Sequence, residues 1–359
     1  MQNELNGKNV VVGMSGGVDS SVCALLLKQQ GANVIGLHML SENVATAEDD
    51  KNRVLSICEK LGIKCEIVNY KSEMQVVKDY FIETYKNGHT PNPCIICNSA
   101  VKFKPFIEYA EKMNADYFAT GHYAQIEHTQ NGHFLKSAVD TKKDQSYFLC
   151  KLSQKQLSKA LFPLGYLTKE EVKKLAEENG FSFEGVKESQ DICFLGTEKF
   201  KEFMNKNYPE KLGDIVDVNS GKVVGKHNGI SKYTLGQRKG LGIGGGYGVS
   251  GESWSVVKKD IKQNIVYVCQ GNDDLLYTNI VIAKDFNWIS TNLKNEFECF
   301  ARFRHGQKLQ QVSVEIKANE VVIKFKEKQR AISTGQYIVL YDNEIFGYCL
   351  GGGEIKDTY

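Results

Sequence analysis

A short loop rich in serine and glycine restricts what this chain can fold into more than any other segment. Residues 13–20 read Gly-Met-Ser-Gly-Gly-Val-Asp-Ser and follow the apolar run 9–12. The run 21–30 after the loop has the apolar spacing of an amphipathic helix. A strand that turns through small residues into a helix directs backbone N–H groups and the positive end of the helix dipole at an anion. The sequence therefore predicts a phosphate-binding loop at 13–20.

The loop differs from the common nucleoside-triphosphate loop, which requires Gly-x-x-x-x-Gly-Lys-Ser/Thr. No lysine lies within 9–27, and Asp19 stands at the expected helix start. A carboxylate beside a bound polyphosphate is favourable when Mg²⁺ lies between them, so the loop suits pyrophosphate as a leaving group. The alternative for this segment alone is a Ser/Gly turn with Asp19 as a helix N-cap.

Composition limits the remaining function classes. The 359 residues suffice for two or three domains, and the net charge of +2 confines any nucleic-acid surface to a local patch. No apolar run reaches the length of a membrane span, and the N-terminus lacks the pattern of a signal peptide. Ten cysteines without a secretion signal indicate a reducing compartment. We therefore expect a cytoplasmic protein with no membrane partner.

Strand and helix patterns alternate from residue 9 to about 126, which predicts a parallel sheet with helices on both faces. The expected elements here are strands at 33–38, 64–70 and 116–121 and helices at 48–61, 72–86 and 102–113. Asn131-Gly132 predicts a hairpin, and helical patterns return at 153–160 and 168–179. Short β-like runs dominate after about 210, and 275–359 predicts a small β-barrel or sandwich.

Two cysteine segments lie outside the loop. The first, 88–98, contains Thr90-Pro91-Asn92-Pro93 followed by Cys94 and Cys97. The prolines make the approach to the Cys-x-x-Cys pair rigid, and the pair could share a metal or exchange a disulfide. Structural zinc is disfavoured because no second half-site exists. The second segment, 187–196, contains Cys193, which by itself would be read as a buried structural cysteine.

Together these segments resemble the tRNA-specific 2-thiouridylase family of the PP-loop ATP pyrophosphatases, whose members adenylate an oxygen of the substrate and release pyrophosphate. The resemblance covers nearly the whole chain. The blocks that carry it are Gly13–Ser20, Thr90–Pro93, Cys97-Asn98 with Lys102–Lys104, Ala119–Ala124, Lys143–Phe148, Asp191–Phe194 and Tyr233–Gly242.

The resemblance implies a fold of class α/β. A parallel-sheet PP-loop domain, similar to the adenine nucleotide alpha hydrolases, would occupy 1–200 and hold the catalytic ATP site. A small mixed central domain that contacts tRNA would occupy 201–273, together with part of 161–181. A C-terminal β-barrel would occupy 274–359.

The resemblance also assigns roles to residues. ATP and Mg²⁺ would be bound at Gly13, Met14, Ser15, Gly16, Gly17, Val18, Asp19 and Ser20, with Met39 and Gly121 at the adenosine. The residues expected to touch tRNA are Asn92, His122, Lys143, Asp144, Gln145, Arg302, Phe303 and Gln336. Cys97 would be the attacking or resolving thiol, and Cys193 would carry a persulfide sulfur. Arg302, Arg304 and His305 around Phe303 form a basic and aromatic cluster suited to phosphate contact and stacking, although without the family context they read as a solvated strand face.

The sequence departs from the commonest family pattern at Cys94, where many members have Asp. A third thiol beside Cys97 and Cys193 would suit a [4Fe–4S] cluster that supplies sulfide. The sulfur donor therefore stays open between a cysteine desulfurase or relay protein, with persulfide on Cys193, and inorganic sulfide delivered through a cluster. The expected catalytic set is Asp19, Cys94, Cys97 and Cys193.

The expected reaction is 2-thiolation of the wobble uridine of the Lys, Glu and Gln tRNAs, a target implied by the resemblance alone. The base 2-carbonyl oxygen would attack the α-phosphate of ATP, and sulfur would then displace AMP. Two alternatives remain at this point. Another PP-loop enzyme could act on a small metabolite, or a tRNA-binding protein could have lost ATP chemistry. AMP release that depends on added tRNA would separate them.

Overall fold

The structure, a computed structural model, describes residues 5–40, 47–183, 200–208, 210–243 and 251–359. Its first part is a five-stranded, fully parallel sheet in the order β3-β2-β1-β4-β7. The sheet strands are β1 (Asn9–Met14), β2 (Asn33–Leu40), β3 (Lys64–Asn69), β4 (Tyr117–Ala119) and β7 (Ala160–Leu161). The predicted strands near 9, 33, 64 and 116 are confirmed.

The central strand β1 explains why this sheet forms. Val10, Val11 and Val12 are completely buried, and β1 pairs in parallel with β2 on one side and β4 on the other. A strand covered by helices on both faces is a continuous apolar run, which is the pattern of 9–12. The carboxyl ends of β1 and β4 are adjacent, so the loops that follow them meet at one edge of the sheet.

The helices of this part of the chain are α1 (Val18–Gln29), α2 (Ala47–Leu61), α3 (Lys71–Lys86), α4 (Pro93–Ile96), α5 (Lys104–Lys112), α6 (Gln154–Lys159) and α7 (Lys169–Glu178), and α8 (Phe200–Asn207) follows. The helices predicted at 48–61, 72–86, 153–160 and 168–179 are confirmed within two residues. In the described ranges no helix combines the length and apolarity needed to cross a bilayer.

The prediction of a single α-helix at 102–113 was wrong in length and in type, because the helical segment is longer and is partly π-helical. The helical path begins at Pro93, widens into a π-helix at Cys97–Phe103 and continues as α5. Pro93 starts the first turn, where its missing N–H costs nothing. Pro105 lacks the N–H that an α-helix needs and crowds the carbonyl four residues earlier, which explains why the turn before it is wide.

Three further β units follow or adjoin the sheet. The predicted hairpin is confirmed as β5 (Ala124–Thr129) and β6 (Gly132–Ser137). A four-stranded mixed sheet has the order β10-β11-β8-β9. Its strands are β8 (Gly213–Asp217), β9 (Val223–His227), β10 (Trp254–Asp260) and β11 (Ile265–Gln270).

The C-terminal unit is a closed antiparallel barrel in the order β12-β15-β14-β13-β16-β17. Its strands are β12 (Tyr277–Trp288), β13 (Glu296–Arg302), β14 (Gln310–Ile316), β15 (Val321–Arg330), β16 (Tyr337–Tyr341) and β17 (Cys349–Thr358). Strand β14 alternates buried Val312 and Val314 with exposed Ser313 and Glu315. The period-two pattern thus fills the barrel interior, and of the two predicted architectures the barrel is correct.

A buried polar network joins the barrel to the first part of the chain. Arg302 at the end of β13 is 7% exposed and forms an ion pair with Asp144, which is 4% exposed. The same guanidinium donates to Tyr341 Oη at 2.7 Å and to Ser146 Oγ at 3.2 Å. Burial acts to lower the pKa of Arg302, but Tyr341 and Asp144 together raise it above its ordinary value. The guanidinium therefore stays charged inside this junction.

We predict that Arg302→Met destabilises the protein by about 3–5 kcal/mol, because it leaves the Asp144 carboxylate buried without a countercharge. The double variant Arg302→Met/Asp144→Asn should be less destabilised, because no lone charge remains. Urea unfolding followed by fluorescence measures both. Lys317→Ala is the control, because the Lys317–Glu315 pair in the same barrel is about half exposed and should contribute under about 1 kcal/mol. An Arg302→Met cost as small as that of the control would contradict the prediction.

Candidate active site at the carboxyl end of the parallel sheet

The predicted phosphate loop connects the end of β1 to α1 and is held by its own serines. Ser20 Oγ accepts from the Ser15 N–H at 3.2 Å and donates to the Gly17 carbonyl at 3.1 Å. Gly16 has φ +79°, a conformation that costs glycine nothing, and Gly17 is the N-cap residue of α1. Glycine has no side chain with which to cap this helix. Its first N–H groups are therefore directed outward from the loop, as an anion site requires.

Asp19 is the second residue of α1, and the N-cap is Gly17. The alternative that Asp19 serves as the helix N-cap is therefore wrong. Its Oδ1 accepts from the Tyr123 hydroxyl at 2.9 Å and from the Lys169 ammonium at 2.6 Å. Its side chain is 36% exposed, whereas that of Lys169 is 9% exposed. Asp19 therefore sits at the mouth of the loop, and its two partners approach from the protein side.

The segment after β4 connects the loop to the cysteine segment. A Cβ on Gly121 would lie 2.8 Å from the Asp19 backbone carbon, so only glycine fits here without displacement. The next residue, His122, packs against Phe103 of the π-helix, with ring centroids 6.0 Å apart. Tyr123 then reaches back to Asp19. Three consecutive residues thus touch the phosphate loop and the segment that carries Cys97.

His122 is electrically neutral at physiological pH. Burial, with a smaller contribution from the nearby Lys102 ammonium, lowers the pKa of His122 to about 3. Thr120 Oγ1 lies 2.7 Å from its Nδ1, and Phe162 packs on the ring at 5.9 Å. A neutral imidazole can form hydrogen bonds with a base but cannot act as a cation toward phosphate.

The residues predicted to flank the adenosine lie at the same sheet edge. Met14 ends β1 and is buried, and Met39, near the end of β2, is half-buried. His38 between them on β2 has its Nδ1 2.9 Å from the Met14 carbonyl. Contact of Met39 and Gly121 with adenosine stays a prediction.

The rigid loop before the cysteines is held by the barrel. Gln336 Nε2 donates to the carbonyls of Thr90 and Pro91 at 3.0 and 2.8 Å, and its Oε1 lies 3.5 Å from Asn92 Nδ2. The Thr90 N–H also donates to the Thr334 carbonyl at 2.9 Å. Gln336 and Asn92, both predicted to contact tRNA, therefore contact each other. Their contact with tRNA stays a prediction.

The two described cysteines of the candidate site have different environments. Cys94 on α4 is exposed, and Cys97 is 3% exposed at the start of the π-helix. Asn98 beside it donates to the Phe148 carbonyl at 3.2 Å, and its buried Oδ1 has no hydrogen-bond partner among the residues that the structure describes. Cys193 lies outside the described residues. Within the described ranges no three His, Cys, Asp or Glu side chains lie together in a group that could hold a metal.

The residues 143–145 form a loop that is fixed from both sides. Asp144 accepts from the Ala138 and Ser146 N–H groups as well as from Arg302. Gln145 exchanges two hydrogen bonds with the Tyr123 backbone, at 2.7 and 2.9 Å. Lys143 is half-buried, and its N–H donates to the Asp140 carbonyl at 3.1 Å.

The structure buries four of the residues predicted to touch tRNA, namely Asn92, Asp144, Arg302 and Phe303. Asp144 and Arg302 neutralise each other, and Phe303 is 3% exposed inside the barrel core. In this conformation they support the loop and the barrel instead of presenting a basic surface. Of the four-residue cluster, His305 lies against Phe148 with centroids 4.5 Å apart, and Arg304 donates to the Ala331 carbonyl. Direct contact with tRNA stays a prediction for this cluster.

Sequence reasoning missed Lys169 and gave Tyr123 no role. The only local signal at Lys169 is the capping box formed by Thr168 and Glu171, which fixes where α7 begins. That signal places Lys169 at the first helical position but says nothing about a carboxylate 150 residues away.

Family comparisons cover almost the whole chain. The tRNA methyl transferase HUP domain matches residues 8–197, the tRNA methyl transferase PRC-barrel domain matches 201–270, and the aminomethyltransferase beta-barrel domain matches 278–355. The three matched segments correspond to the part with the parallel sheet, the mixed sheet and the closed barrel.

Several relatives match along nearly their full length. The tRNA-specific 2-thiouridylase MnmA of Staphylococcus epidermidis is 46% identical over 363 residues, covering 98% of this chain and 95% of that protein. The MnmA of Oceanobacillus iheyensis is 47% identical, covering 96% and 94%. The MnmA of Alkaliphilus oremlandii is 46% identical, covering 96% of both chains.

Solved structures resemble only parts of the chain. The U34-tRNA thiolase NcsA from Methanococcus maripaludis with its [4Fe-4S] cluster is 20% identical with a TM-score of 0.36, covering 57% of this chain and 68% of that one. A 4-thiouridine synthetase–RNA complex with bound ATP is 19% identical with a TM-score of 0.35, covering 52% and 44%. Neither likeness is close enough to carry a functional argument.

The pKa of His122 leads to a prediction for pH dependence. Because the folded pKa is about 3 and the unfolded pKa is about 6.5, the unfolded chain binds the extra proton between these values. The resulting stability is complete above about pH 6.5 and is lost as the pH falls, by at most about 1.4 kcal/mol per pH unit. His122→Gln should therefore lose less stability than the wild type between pH 6.5 and 5 in urea unfolding. An imidazole resonance of His122 that titrates near pH 6.5 would contradict this prediction.

Proposed function

The chain belongs to the tRNA-specific 2-thiouridylase family, and we infer from this premise that it is a sulfurtransferase that replaces the 2-oxygen of a tRNA uridine by sulfur in an ATP-dependent reaction. The observation that carries the inference is the identity of 46% over 98% of the chain to an MnmA, together with an outward-facing PP-loop whose carboxylate is already positioned. The substrate is tRNA, and ATP is the co-substrate.

Two of the matching domains are described as tRNA methyl transferase domains, an activity that differs from that of the full-length relatives. The relatives that match this chain along their full length are thiouridylases. The loop geometry also favours release of pyrophosphate, because the serines hold the loop in shape and α1 begins at it without a side-chain cap, which leaves its first N–H groups for a polyphosphate.

We propose that the first step is adenylation of the base. The 2-carbonyl oxygen of the uridine attacks the α-phosphorus of ATP, the bond from that phosphorus to the bridging oxygen breaks, and pyrophosphate leaves. The N–H groups of the first turn of α1, which begins at Val18, stabilise the charge of the leaving group. AMP is then a good leaving group on carbon 2 of the base.

Asp19 fits a role as a Mg²⁺ ligand. Magnesium in phosphate sites is usually bound by one or two carboxylates plus the phosphates, and Asp19 is one partly exposed carboxylate at the end of the loop. The metal would supply stabilisation of the pyrophosphate charge.

The target base must leave its stack to reach this edge of the sheet, which an anticodon base in a single-stranded loop can do at low cost. We propose the wobble uridine of the Lys, Glu and Gln tRNAs. Asn92, His122, Lys143 and Gln145 lie on the segments around the cysteines and are proposed to contact it. Asp144, Arg302, Phe303 and Gln336 are proposed to act on tRNA by holding those segments in place.

The sulfur step has two candidate routes that share the thiols of Cys97 and Cys193. In the persulfide route a cysteine desulfurase or relay protein supplies the terminal sulfur on Cys193. This sulfur attacks carbon 2 and AMP leaves, so the base is joined to Cys193 through a sulfur–sulfur bond. Cys97 then attacks the Sγ of Cys193, which releases the 2-thiouridine and forms a Cys97–Cys193 disulfide. In the second route a [4Fe–4S] cluster on Cys94, Cys97 and Cys193 would supply inorganic sulfide.

The proposed division of labour follows the domains 1–200, 201–273 and 274–359. The catalytic residues named above all lie in the first unit, and the matched family segments support boundaries close to these positions. A cytoplasmic location is part of the same proposal, because persulfide and thiolate chemistry needs a reducing compartment.

Asp19→Ala tests the ATP chemistry. The variant should bind tRNA as the wild type does but lose tRNA-dependent formation of AMP and pyrophosphate by at least about 100-fold, since a carboxylate that holds a metal contributes several kcal/mol in the transition state. Release of radiolabelled AMP with and without tRNA measures this. Lys174→Ala, an exposed position on α7, is the control. Undiminished turnover in Asp19→Ala would move pyrophosphate release away from this loop.

Substitutions of the cysteines separate the sulfur routes. Cys97→Ser and Cys193→Ser should each abolish thiolation while tRNA-dependent AMP release survives, because serine lacks the nucleophilicity of a thiolate. Cys94→Asp should keep activity with a persulfide donor if that route operates, because Asp is the commoner residue of the family at this position. If a cluster operates, the variant should lose iron binding and sulfide-driven activity together. Iron content and thiolation, measured anaerobically in the wild type and in Cys94→Asp, decide between these outcomes.

A further inference from the structure

The PP-loop lacks the lysine that many phosphate loops contain, and the structure brings one to it from another element. No lysine occurs in 9–27, yet the Lys169 ammonium lies 2.6 Å from Asp19 Oδ1. Lys169 opens α7, which begins 150 residues after Asp19 in the chain. A cation thus reaches the loop only through tertiary packing.

The protein fixes the position of this lysine. Thr168 and Glu171 form a capping box that sets the first turn of α7, and the Lys169 N–H donates to Asp140 Oδ2 at 3.0 Å. Helix α7 packs on α1, the helix that the loop enters. The Lys169 side chain is 9% exposed, and its ammonium lies 5.7 Å from the centroid of the Tyr123 ring. The stem is therefore buried and the charged end is directed at the loop.

The placement fits a phosphate ligand better than a purely structural ion pair. A buried ammonium is costly to desolvate, and Asp19, its partner on the loop, is 36% exposed at the mouth of an anion site. If Asp19 turns to a metal ion when ATP binds, the ammonium keeps its position beside the first turn of α1. Arg53 on α2 also approaches the loop near Gly16, but its guanidinium lies 3.0 Å from Asp50 Oδ1.

We infer that Lys169 binds the β- and γ-phosphates of ATP and neutralises the departing pyrophosphate, which makes it a catalytic residue of this site. The inference rests on the ATP chemistry proposed above. Lys169 takes the place of the lysine that other phosphate loops carry within their own sequence, and its hydrogen bond to Asp19 holds it at the loop.

The test compares nucleotides that differ only in the phosphates Lys169 would touch. Binding of ATP, pyrophosphate and AMP is measured by calorimetry with excess Mg²⁺ in the full chain. Lys169→Met should weaken ATP and pyrophosphate by about 10- to 100-fold, the size of one charge-assisted hydrogen bond, and leave AMP within about twofold. Lys169→Arg should retain part of the ATP affinity, and Lys174→Ala, on the exposed face of the same helix, should retain all of it. Unchanged AMP affinity also shows that Lys169→Met is folded.

A second comparison excludes an effect that acts only through Asp19. The same Lys169→Met substitution is made in an Asp19→Asn background, where no carboxylate needs a countercharge. ATP affinity should still fall. Unchanged ATP affinity, equal losses for ATP and AMP, or an effect that disappears with Asp19→Asn would each overturn the inference for Lys169 alone. A wild-type chain that binds neither ATP nor pyrophosphate would overturn the proposed ATP chemistry as well.

Discussion

The arrangement of the candidate site depends on the buried ion pair between Asp144 and Arg302. The Asp144 carboxylate accepts from Arg302 of the barrel and from two backbone N–H groups of its own part of the chain. An ion pair of this kind adds little net stability when both partners are present, but it is costly to break. Its consequence is geometric, since it fixes the loop 143–145 against the end of β13.

From that loop a continuous set of hydrogen bonds leads to the phosphate site. Gln145 is bonded twice to the Tyr123 backbone, and the Tyr123 hydroxyl donates to Asp19. A second connection runs from the barrel to the cysteines, through Gln336 and the carbonyls of Thr90 and Pro91. The barrel therefore holds in place both the loop 143–145, which is bonded to the Tyr123 backbone, and the segment before Cys94 and Cys97.

Charged groups of both signs lie around the loop 13–20. The N-terminus of α1 carries partial positive charge, Asp19 beside it carries one negative charge, and the Lys169 ammonium balances Asp19 from its buried side. Next to this charged edge His122 stays neutral, because its ring is packed between Phe103 and Phe162. Charge is thus concentrated where phosphates would bind, while the neighbouring imidazole is left for hydrogen bonding.

The sequence by itself determined the phosphate loop, the parallel sheet, the hairpin at Asn131-Gly132, the barrel and the family, because these depend on local periodicity, turn residues and motif order. It did not determine the π-helix at Cys97–Phe103, which precedes Pro105, a residue that lacks the N–H an α-helix needs. Which charged side chains form ion pairs depends on tertiary packing. The pattern of β13 and the residues after it predicted that Arg302 is an exposed cation. In the structure Arg302 is buried and pairs with Asp144, which lies 158 residues earlier in the chain. Likewise Lys169 reaches Asp19 because α7 packs on α1, and side-chain pairing between distant elements depends on that packing and leaves no trace in local spacing.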